Sequence, residues 1–243
     1  MTRFRVVPDP ASVVEATADR FVAAARSSIE ERGVFRVALS GGGTPKQVYP
    51  LLLDPRRRDA VDWSAVEFFW GDERSVPPDH PDSNFGVAYR MLIAHLPDVR
   101  PDRIHRMAAE APDLEAAALS YESELRLAFG ARGRGAPAFD LIWLGMGPDG
   151  HTASLFPGSM ALDEHERWVV GNWAPSQETW RMTLTLPVLN AGRDVVFIVT
   201  GADKAPALRE IRAGSSDLPA ARVAGDHVEW IVDAAASGDD QAA

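Results

Sequence analysis

Short apolar runs that end next to glycine, separated by helix-like stretches, constrain the fold of this chain more than any other feature. Four of these runs stand out, at Phe35–Leu39, Val66–Trp70, Phe139–Leu144 and Asp194–Thr200. A short continuous apolar run closed by a turn is typical of a strand buried on both faces, as in a parallel sheet. The pattern therefore predicts an α/β fold, with a mainly parallel sheet and helices on both faces.

The remaining segments alternate in the same way. Further strands are predicted at Phe4–Val7, Trp168–Asn172, Arg181–Leu186 and Val228–Val232. Helices are predicted at Pro10–Arg32, Pro45–Leu53 with a kink at Pro50, Ser83–His95, Pro112–Phe129 and Lys204–Arg212. Residues 1–243 are expected to form a single domain, with a frayed tail from about Ala234.

Composition excludes several classes of function. The net charge of −10 argues against non-specific binding of nucleic acid, which needs a basic face. Cysteine is absent, so disulfides, thiol catalysis and cysteine-type zinc sites are excluded. No uncharged run approaches the ~20 residues of a membrane span, and the first residues lack the apolar core of a signal peptide. A cytoplasmic protein with no membrane or nucleic-acid partner is predicted.

The segment Ser40-Gly41-Gly42-Gly43-Thr44-Pro45 lies between a predicted strand and a predicted helix. Thr44 is a favourable N-cap, and Pro45 is favourable as the first helical residue. Glycines allow close approach of a ligand to the backbone, and a helix N-terminus attracts anions. The segment predicts a phosphate site, with an ordinary tight turn as the alternative. It lacks the spacing of a Walker A loop.

Two other strand ends carry charged side chains. Gly-Asp-Glu-Arg at 71–74 places Arg74 beside Asp72 and Glu73, and an arginine fork suits a phosphate or a carbonyl oxygen. A structural ion pair within this tetrapeptide is the alternative, and the roles of Asp72 and Glu73 stay open. Lys204 follows Gly201 and can reach a ligand at the same edge, although most lysines are simply solvated.

The stretch Leu144–Ser154 contains Gly145, Gly147 and Gly150 in the spacing G-x-G-x-x-G, directly before His151. A dinucleotide loop of this kind needs an acidic residue at the end of the next strand, and Trp168–Asn172 has none there. His151 is instead the candidate acid or base, because imidazole exchanges protons near neutral pH. A structural histidine is the alternative.

These segments lie at the ends of predicted strands, and ligands bind at the carboxyl ends of parallel strands. We therefore expect the loops to form one site. The loops are Ser40–Thr44, Gly71–Arg74, Gly145–His151 and Gly201–Lys204.

Together the segments resemble the 6-phosphogluconolactonase family of the pentose phosphate pathway. The resemblance spans about residues 35–210, and Pro148 is its one minor departure. It implies a modified Rossmann-like sheet shared with glucosamine-6-phosphate deaminase and ribose-5-phosphate isomerase, without a nucleotide. It also implies a hydrolase with no metal and no cofactor. The catalytic histidine of the family falls on His151, and its substrate-binding arginine and lysine fall on Arg74 and Lys204.

The resemblance implies hydrolysis of 6-phospho-D-glucono-1,5-lactone, a small phosphosugar lactone. The predicted catalytic residues are His151, Asp149 and Arg74. The predicted substrate-binding residues are Ser40, Gly41, Gly42, Gly43, Thr44, Asp72, Arg74, Gly147 and Lys204. The oligomeric state stays open between monomer and dimer.

Two alternatives remain. The first is a glucosamine-6-phosphate deaminase or an isomerase on the same fold, whose proton transfer at C2 needs a carboxylate base. The deaminase has a glutamate where this chain has Phe156, which disfavours it. The second is a sugar-phosphate-sensing binding domain, which needs a DNA-binding segment that this acidic chain does not show.

Overall fold

The computed structural model describes residues 2–133, 135–214 and 217–238. Its strands are β1 (Thr2–Val7), β2 (Phe35–Leu39), β3 (Val66–Trp70), β4 (Asp72–Arg74), β5 (Leu141–Leu144), β6 (Val169–Ala174), β7 (Thr179–Leu184), β8 (Asp194–Val199) and β9 (His227–Asp233). Its α-helices are α1 (Pro10–Arg32), α2 (Gly43–Leu52), α3 (Pro55–Arg58), α4 (Asn84–Met91), α5 (Leu114–Ala128), α6 (Leu186–Ala191), α7 (Ala205–Arg212) and α8 (Ala234–Ser237).

The main sheet has six strands in the order β1-β9-β8-β5-β2-β3, and every pairing in it is parallel. Alternate residues of a strand point to opposite faces. Ala38 accordingly packs into one apolar cluster with α5, while Val37 and Leu39 pack into a second cluster with α1. Helices therefore cover both faces, and the predicted α/β class with a mainly parallel Rossmann-like sheet is confirmed.

A second sheet of three antiparallel strands, in the order β4-β7-β6, was not predicted. The segments Trp168–Asn172 and Arg181–Leu186 were predicted as strands, and they correspond to β6 and β7 of this second sheet. The chain leaves β3 at Gly71, and the carbonyl of Gly71 accepts a 2.9 Å hydrogen bond from the N–H of Leu184. This bond starts a separate ladder, in which β7 pairs with both β4 and β6.

Some predicted element bounds also differ. The helix predicted at Ser83–His95 ends as an α-helix at Met91, and a 3₁₀ turn follows at Ile93–His95. Helix α2 continues through Pro50, which lies in its last turn. Ala234–Ser237, predicted as part of a frayed tail, form a helix that the side chain of Asp233 caps. The rest of that predicted tail, residues 239–243, lies outside the described residues.

A helix long and apolar enough to cross a membrane does not occur among the described residues.

Candidate active site

The four predicted loops meet at the carboxyl edge of the main sheet and enclose a cavity of about 300 Å³. Asp149 lies behind His151 rather than on the cavity wall. The other predicted site residues all line the cavity: Ser40, Gly41, Gly42, Gly43, Thr44, Asp72, Arg74, Gly147, His151 and Lys204.

The loop after β5 holds the imidazole of His151 in one orientation. Nδ1 of His151 lies 2.6 Å from Oδ1 of Asp149, and the backbone N–H of His151 donates to the same oxygen at 3.2 Å. The ring of Phe156 packs beside the imidazole, with the ring centroids 4.7 Å apart. Because a carboxylate only accepts hydrogen bonds, Nδ1 carries the proton and Nε2 keeps its lone pair. His151 is thereby set up as a proton acceptor at Nε2.

Asp149 is held in its charged form by the same contact. Partial burial would raise its pKa, but the charge and hydrogen bonds of His151 outweigh this effect and lower the pKa of Asp149. The carboxylate therefore stays ionised at neutral pH and stabilises a positive charge on the imidazole. This is the arrangement in which an acid orients a general base.

Two glycines of the site are required by close packing. A Cβ atom on Gly147 would overlap the imidazole of His151 and the carboxylate of Asp149. A Cβ atom on Gly41 would overlap the side-chain amide of Asn84. Gly147 thus leaves room for the candidate base, and Gly41 lets the loop after β2 pack against α4.

The loop after β2 opens directly into helix α2. The helix begins at Gly43, with Gly42 as N-cap at a φ of 101°, so the predicted N-cap role of Thr44 is wrong. Thr44 lies inside the first turn, and its hydroxyl shares a 2.8 Å hydrogen bond with the hydroxyl of Thr200. The first N–H groups of a helix lack intrahelical acceptors, and such groups at a cavity wall are suited to bind an anion.

Lys204 lies on the β8 side of the cavity. It ends a 3₁₀ turn at Ala202–Lys204 and is the N-cap residue of α7, rather than the first residue of that helix as predicted. Its Nζ donates to Oδ2 of Asp203 at 2.7 Å. The side chain of Asp203 is mostly exposed, whereas that of Lys204 is mostly buried. Lys204 itself lines the cavity.

Glu73 and Asp72 have different roles. The carboxylate of Glu73 accepts from the N–H groups of Asn84 and Phe85, both at 2.8 Å, at the start of α4. Burial raises the pKa of Glu73, although these hydrogen bonds oppose the rise. Asp72 lines the cavity, and its Oδ2 accepts from the hydroxyl of Ser154 at 2.6 Å. Glu73 is a structural acceptor, whereas Asp72 belongs to the site wall.

Arg181 of β7 lines the cavity and was not among the predicted site residues. It is only 7% exposed, and its Nε has no hydrogen-bond partner in the described part of the chain. Its Nη1 lies 3.9 Å from Oδ2 of Asp72. Burial lowers the pKa of Arg181, Asp72 opposes this effect, and the nearby charge of Arg74 adds to it. The sequence showed only an arginine at the start of an alternating strand.

The described residues contain no cluster of three or more His, Asp or Glu side chains arranged to hold a metal ion.

Comparison with known proteins extends these observations. Residues 8–232 match the family model of glucosamine-6-phosphate isomerases/6-phosphogluconolactonase. The 6-phosphogluconolactonase of Synechocystis sp. is 46% identical over 191 residues, which are 78% of this chain and 76% of that protein. The 6-phosphogluconolactonase of Nostoc sp. is 36% identical over 239 residues, 96% of each chain. The solved 6-phosphogluconolactonase of Trypanosoma cruzi superposes with a TM-score of 0.85 at 29% identity, covering 99% of this chain and 97% of that chain.

Proposed function

This chain belongs to the family of glucosamine-6-phosphate isomerases and 6-phosphogluconolactonases, and we propose that it is a 6-phosphogluconolactonase. It hydrolyses 6-phospho-D-glucono-1,5-lactone to 6-phospho-D-gluconate, the second step of the oxidative pentose phosphate pathway. The relatives that match most of the chain carry this name. The observation that carries the proposal is the His151–Asp149 pair, with Nε2 of the imidazole free to act at a cavity fit for an anionic sugar.

Opening the lactone needs an activated water, a donor to the oxyanion and a proton for the leaving oxygen. Nε2 of His151 takes a proton from water as the water oxygen bonds to C1. Asp149 stabilises the imidazolium that forms. The C1–O5 bond then breaks, and the imidazolium returns its proton to O5. The carboxylic acid that results loses its own proton to solvent and leaves as the carboxylate.

The phosphate end of the substrate belongs at the start of α2. The N–H groups of Gly43 and Thr44 begin that helix, and the Thr44–Thr200 hydrogen bond joins them to the β8 side of the cavity. Lys204 supplies the positive side chain on the same side. A helix N-terminus provides hydrogen-bond donors for a phosphate, and the ammonium group adds a positive charge.

The deaminase alternative is disfavoured because this chain lacks a carboxylate at position 156. Phe156 occupies the position at which the deaminase carries a glutamate, and it is 3% exposed and packs against His151. A phenyl ring accepts no proton, so this side of the imidazole has no second base. Opening the lactone needs only one base, which His151 supplies.

The proposal is tested by assaying the purified chain on two substrates. We expect formation of 6-phosphogluconate from freshly made 6-phosphogluconolactone well above spontaneous hydrolysis, and no ammonia from glucosamine 6-phosphate. Release of ammonia without lactone hydrolysis would identify the chain as a deaminase. Binding of both phosphosugars without turnover of either would identify a sensing domain.

A further inference from the structure

Two arginines face each other in the small antiparallel sheet. The register of β4 with β7 pairs Asp72 with Thr183, Glu73 with Met182 and Arg74 with Arg181. Residues directly opposite in an antiparallel pair are close neighbours, and like charges at such positions destabilise the sheet. The cost is larger here because Arg181 is buried. An anion between the two guanidinium groups would offset it.

The protein itself supplies only part of that negative charge. The carboxylate of Asp72 lies 3.9 Å from Arg181, and it already accepts a hydrogen bond from Ser154. The carboxylate of Glu73 is directed to the start of α4. The charges of Glu73 and Asp82 also act on Arg181, but among the described residues neither carboxylate forms an ion pair with Arg74 or Arg181.

Among the described residues, both arginines also have N–H donors without a hydrogen-bond acceptor. Nη1 of Arg74 donates to the carbonyl of Asp82 at 2.6 Å. Nε of Arg74 and Nε of Arg181 are both buried, and within the described residues neither has an acceptor. Both side chains line the cavity. Buried donors without partners are costly. Both Nε atoms are closed to solvent, so a ligand in the cavity would contact the Nη groups of the two side chains rather than Nε.

The arginine pair and Lys204 reach the cavity from different sheets. Lys204 follows β8 of the main sheet, whereas Arg74 and Arg181 lie on β4 and β7 of the small sheet. The loop of His151 follows β5 and lines the same cavity. With the phosphate at Lys204 and the start of α2, the arginines are left for the other end of the sugar chain.

We propose that Arg74 and Arg181 together bind the C1 end of the substrate, first as the oxyanion and then as the product carboxylate. The assignment rests on the proposed lactonase function. Guanidinium forks match the geometry of a carboxylate, and two cations that face each other favour an anion between them. The lactone carbonyl is neutral and becomes negative as water adds. The pair therefore stabilises the transition state and the product more than the substrate.

The experiment compares binding of two ligands by calorimetry, which needs no turnover. One ligand is 6-phosphogluconate, and the other is glucitol 6-phosphate, which has the same chain and phosphate but a hydroxymethyl group at C1. We expect the wild-type chain to bind 6-phosphogluconate at least about tenfold more tightly, the effect of a charge-assisted pair. Equal affinity for the two ligands would overturn the proposal, and this arm needs no variant.

Variants then assign the preference to Arg181. Arg181→Met is expected to remove the preference while leaving the affinity for glucitol 6-phosphate unchanged, and Arg181→Lys should retain part of it. Lys204→Met should weaken both ligands equally, and Arg56→Met, on the short helix α3, should change neither. If Arg181→Met does not fold, the proposal is still tested by Arg181→Lys and by the ratio of the two ligand affinities in the wild-type chain. A preference that persists in a folded Arg181 variant would contradict the assignment.

Kinetics separates this proposal from the one on which it depends. Arg181→Lys should lower kcat more than it raises KM, because the pair acts on charge that appears only during the reaction. If the chain prefers 6-phosphogluconate but does not open the lactone, the proposed function is contradicted, whereas the proposed carboxylate site remains supported. A chain that opens the lactone without that preference would contradict the carboxylate site alone.

Discussion

The two glycine-rich loops of the site begin alike and end differently. Both follow buried strands that are neighbours in the sheet, β2 and β5. After β2 the chain enters the ten-residue helix α2, and the loop presents backbone N–H groups. After β5 it turns back, with the N–H of Gly150 bonded to the carbonyl of Gly147 at 3.0 Å and the N–H of Gly147 bonded to the carbonyl of His151 at 2.9 Å. The first loop is suited to bind an anion, whereas the second presents a side chain.

The difference lies in the residues after the glycines. Gly150 has a φ of 76° and Ala153 a φ of 47°, so the backbone after β5 is left-handed at two points and forms no helix there. Thr152 and Leu155 instead form an isolated bridge. Without a helix N-terminus the G-x-G-x-x-G spacing has no pyrophosphate site, which explains why this written motif does not indicate a dinucleotide.

The largest effect is expected from a methyl group in the second loop. Gly147→Ala should displace His151 and lower kcat/KM by about 10²- to 10⁴-fold, the range for loss of a general base. Gly145→Ala is the matched control, because a Cβ atom there meets nothing within 4 Å. Gly145→Ala should lower kcat/KM in the lactone assay much less than Gly147→Ala does. Equal losses of kcat/KM in the two variants would mean that the overlap with His151 is not the cause.

A smaller loss is expected when the imidazole keeps its place but loses the charge beside it. Asp149→Asn should lower kcat by about 10- to 100-fold, because the interaction with the imidazolium is no longer charge-assisted. KM should stay close to the wild-type value, since Asp149 does not line the cavity. Steady-state kinetics on the lactone measures both, and a change confined to KM would place Asp149 outside catalysis.

The proposed phosphate side of the cavity should respond in KM instead. Lys204→Met is expected to raise KM by about tenfold through loss of a charge-assisted contact with the phosphate. Its kcat should change little. The same assay applies, and a variant with an unchanged KM would remove Lys204 from the phosphate site.

The smallest expected effect concerns the support of the first loop. Glu73→Gln should lower the free energy of unfolding by about 1–3 kcal/mol, because its amide N–H groups would face donors of α4. A carboxyl whose pKa is raised on folding contributes most below its unfolded value, here 4.5, and less as pH rises through the raised pKa. The difference in the free energy of unfolding between the wild-type chain and Glu73→Gln should therefore become smaller between pH 4.5 and pH 8.

Denaturant titrations at both pH values measure this difference, with the exposed Glu30→Gln as a control that should show none. A difference that grows with pH would contradict the effect of burial on Glu73.

Much of the site could be predicted because parallel sheets place strand ends at one edge. The ends of β2, β3, β5 and β8 are visible as apolar runs closed by glycine, and they brought Ser40–Thr44, His151 and Lys204 to one cavity. Their convergence follows from local patterns and from one general rule of α/β folds. The apolar periodicity of α1 likewise predicted its bounds, Pro10–Arg32.

The small sheet could not be predicted because it depends on pairing between distant segments. Strand β4 has three residues, and nothing in Asp72–Arg74 shows that it pairs with β7, more than a hundred residues away. The approach of Arg181 to Arg74 follows only from that register. The role of Glu73 was hidden for the same reason, because the N–H groups that donate to its carboxylate lie at the start of α4, beyond a proline-rich loop.

The most direct test of the account is the ratio of kcat/KM for the wild-type chain and for His151→Ala on freshly made 6-phosphogluconolactone, with spontaneous hydrolysis subtracted. His151 is a solvent-accessible side chain on a turn, so the variant should keep the wild-type circular dichroism and melting temperature. We predict a loss of at least about 100-fold. A folded variant that opens the lactone at the wild-type rate would contradict the account.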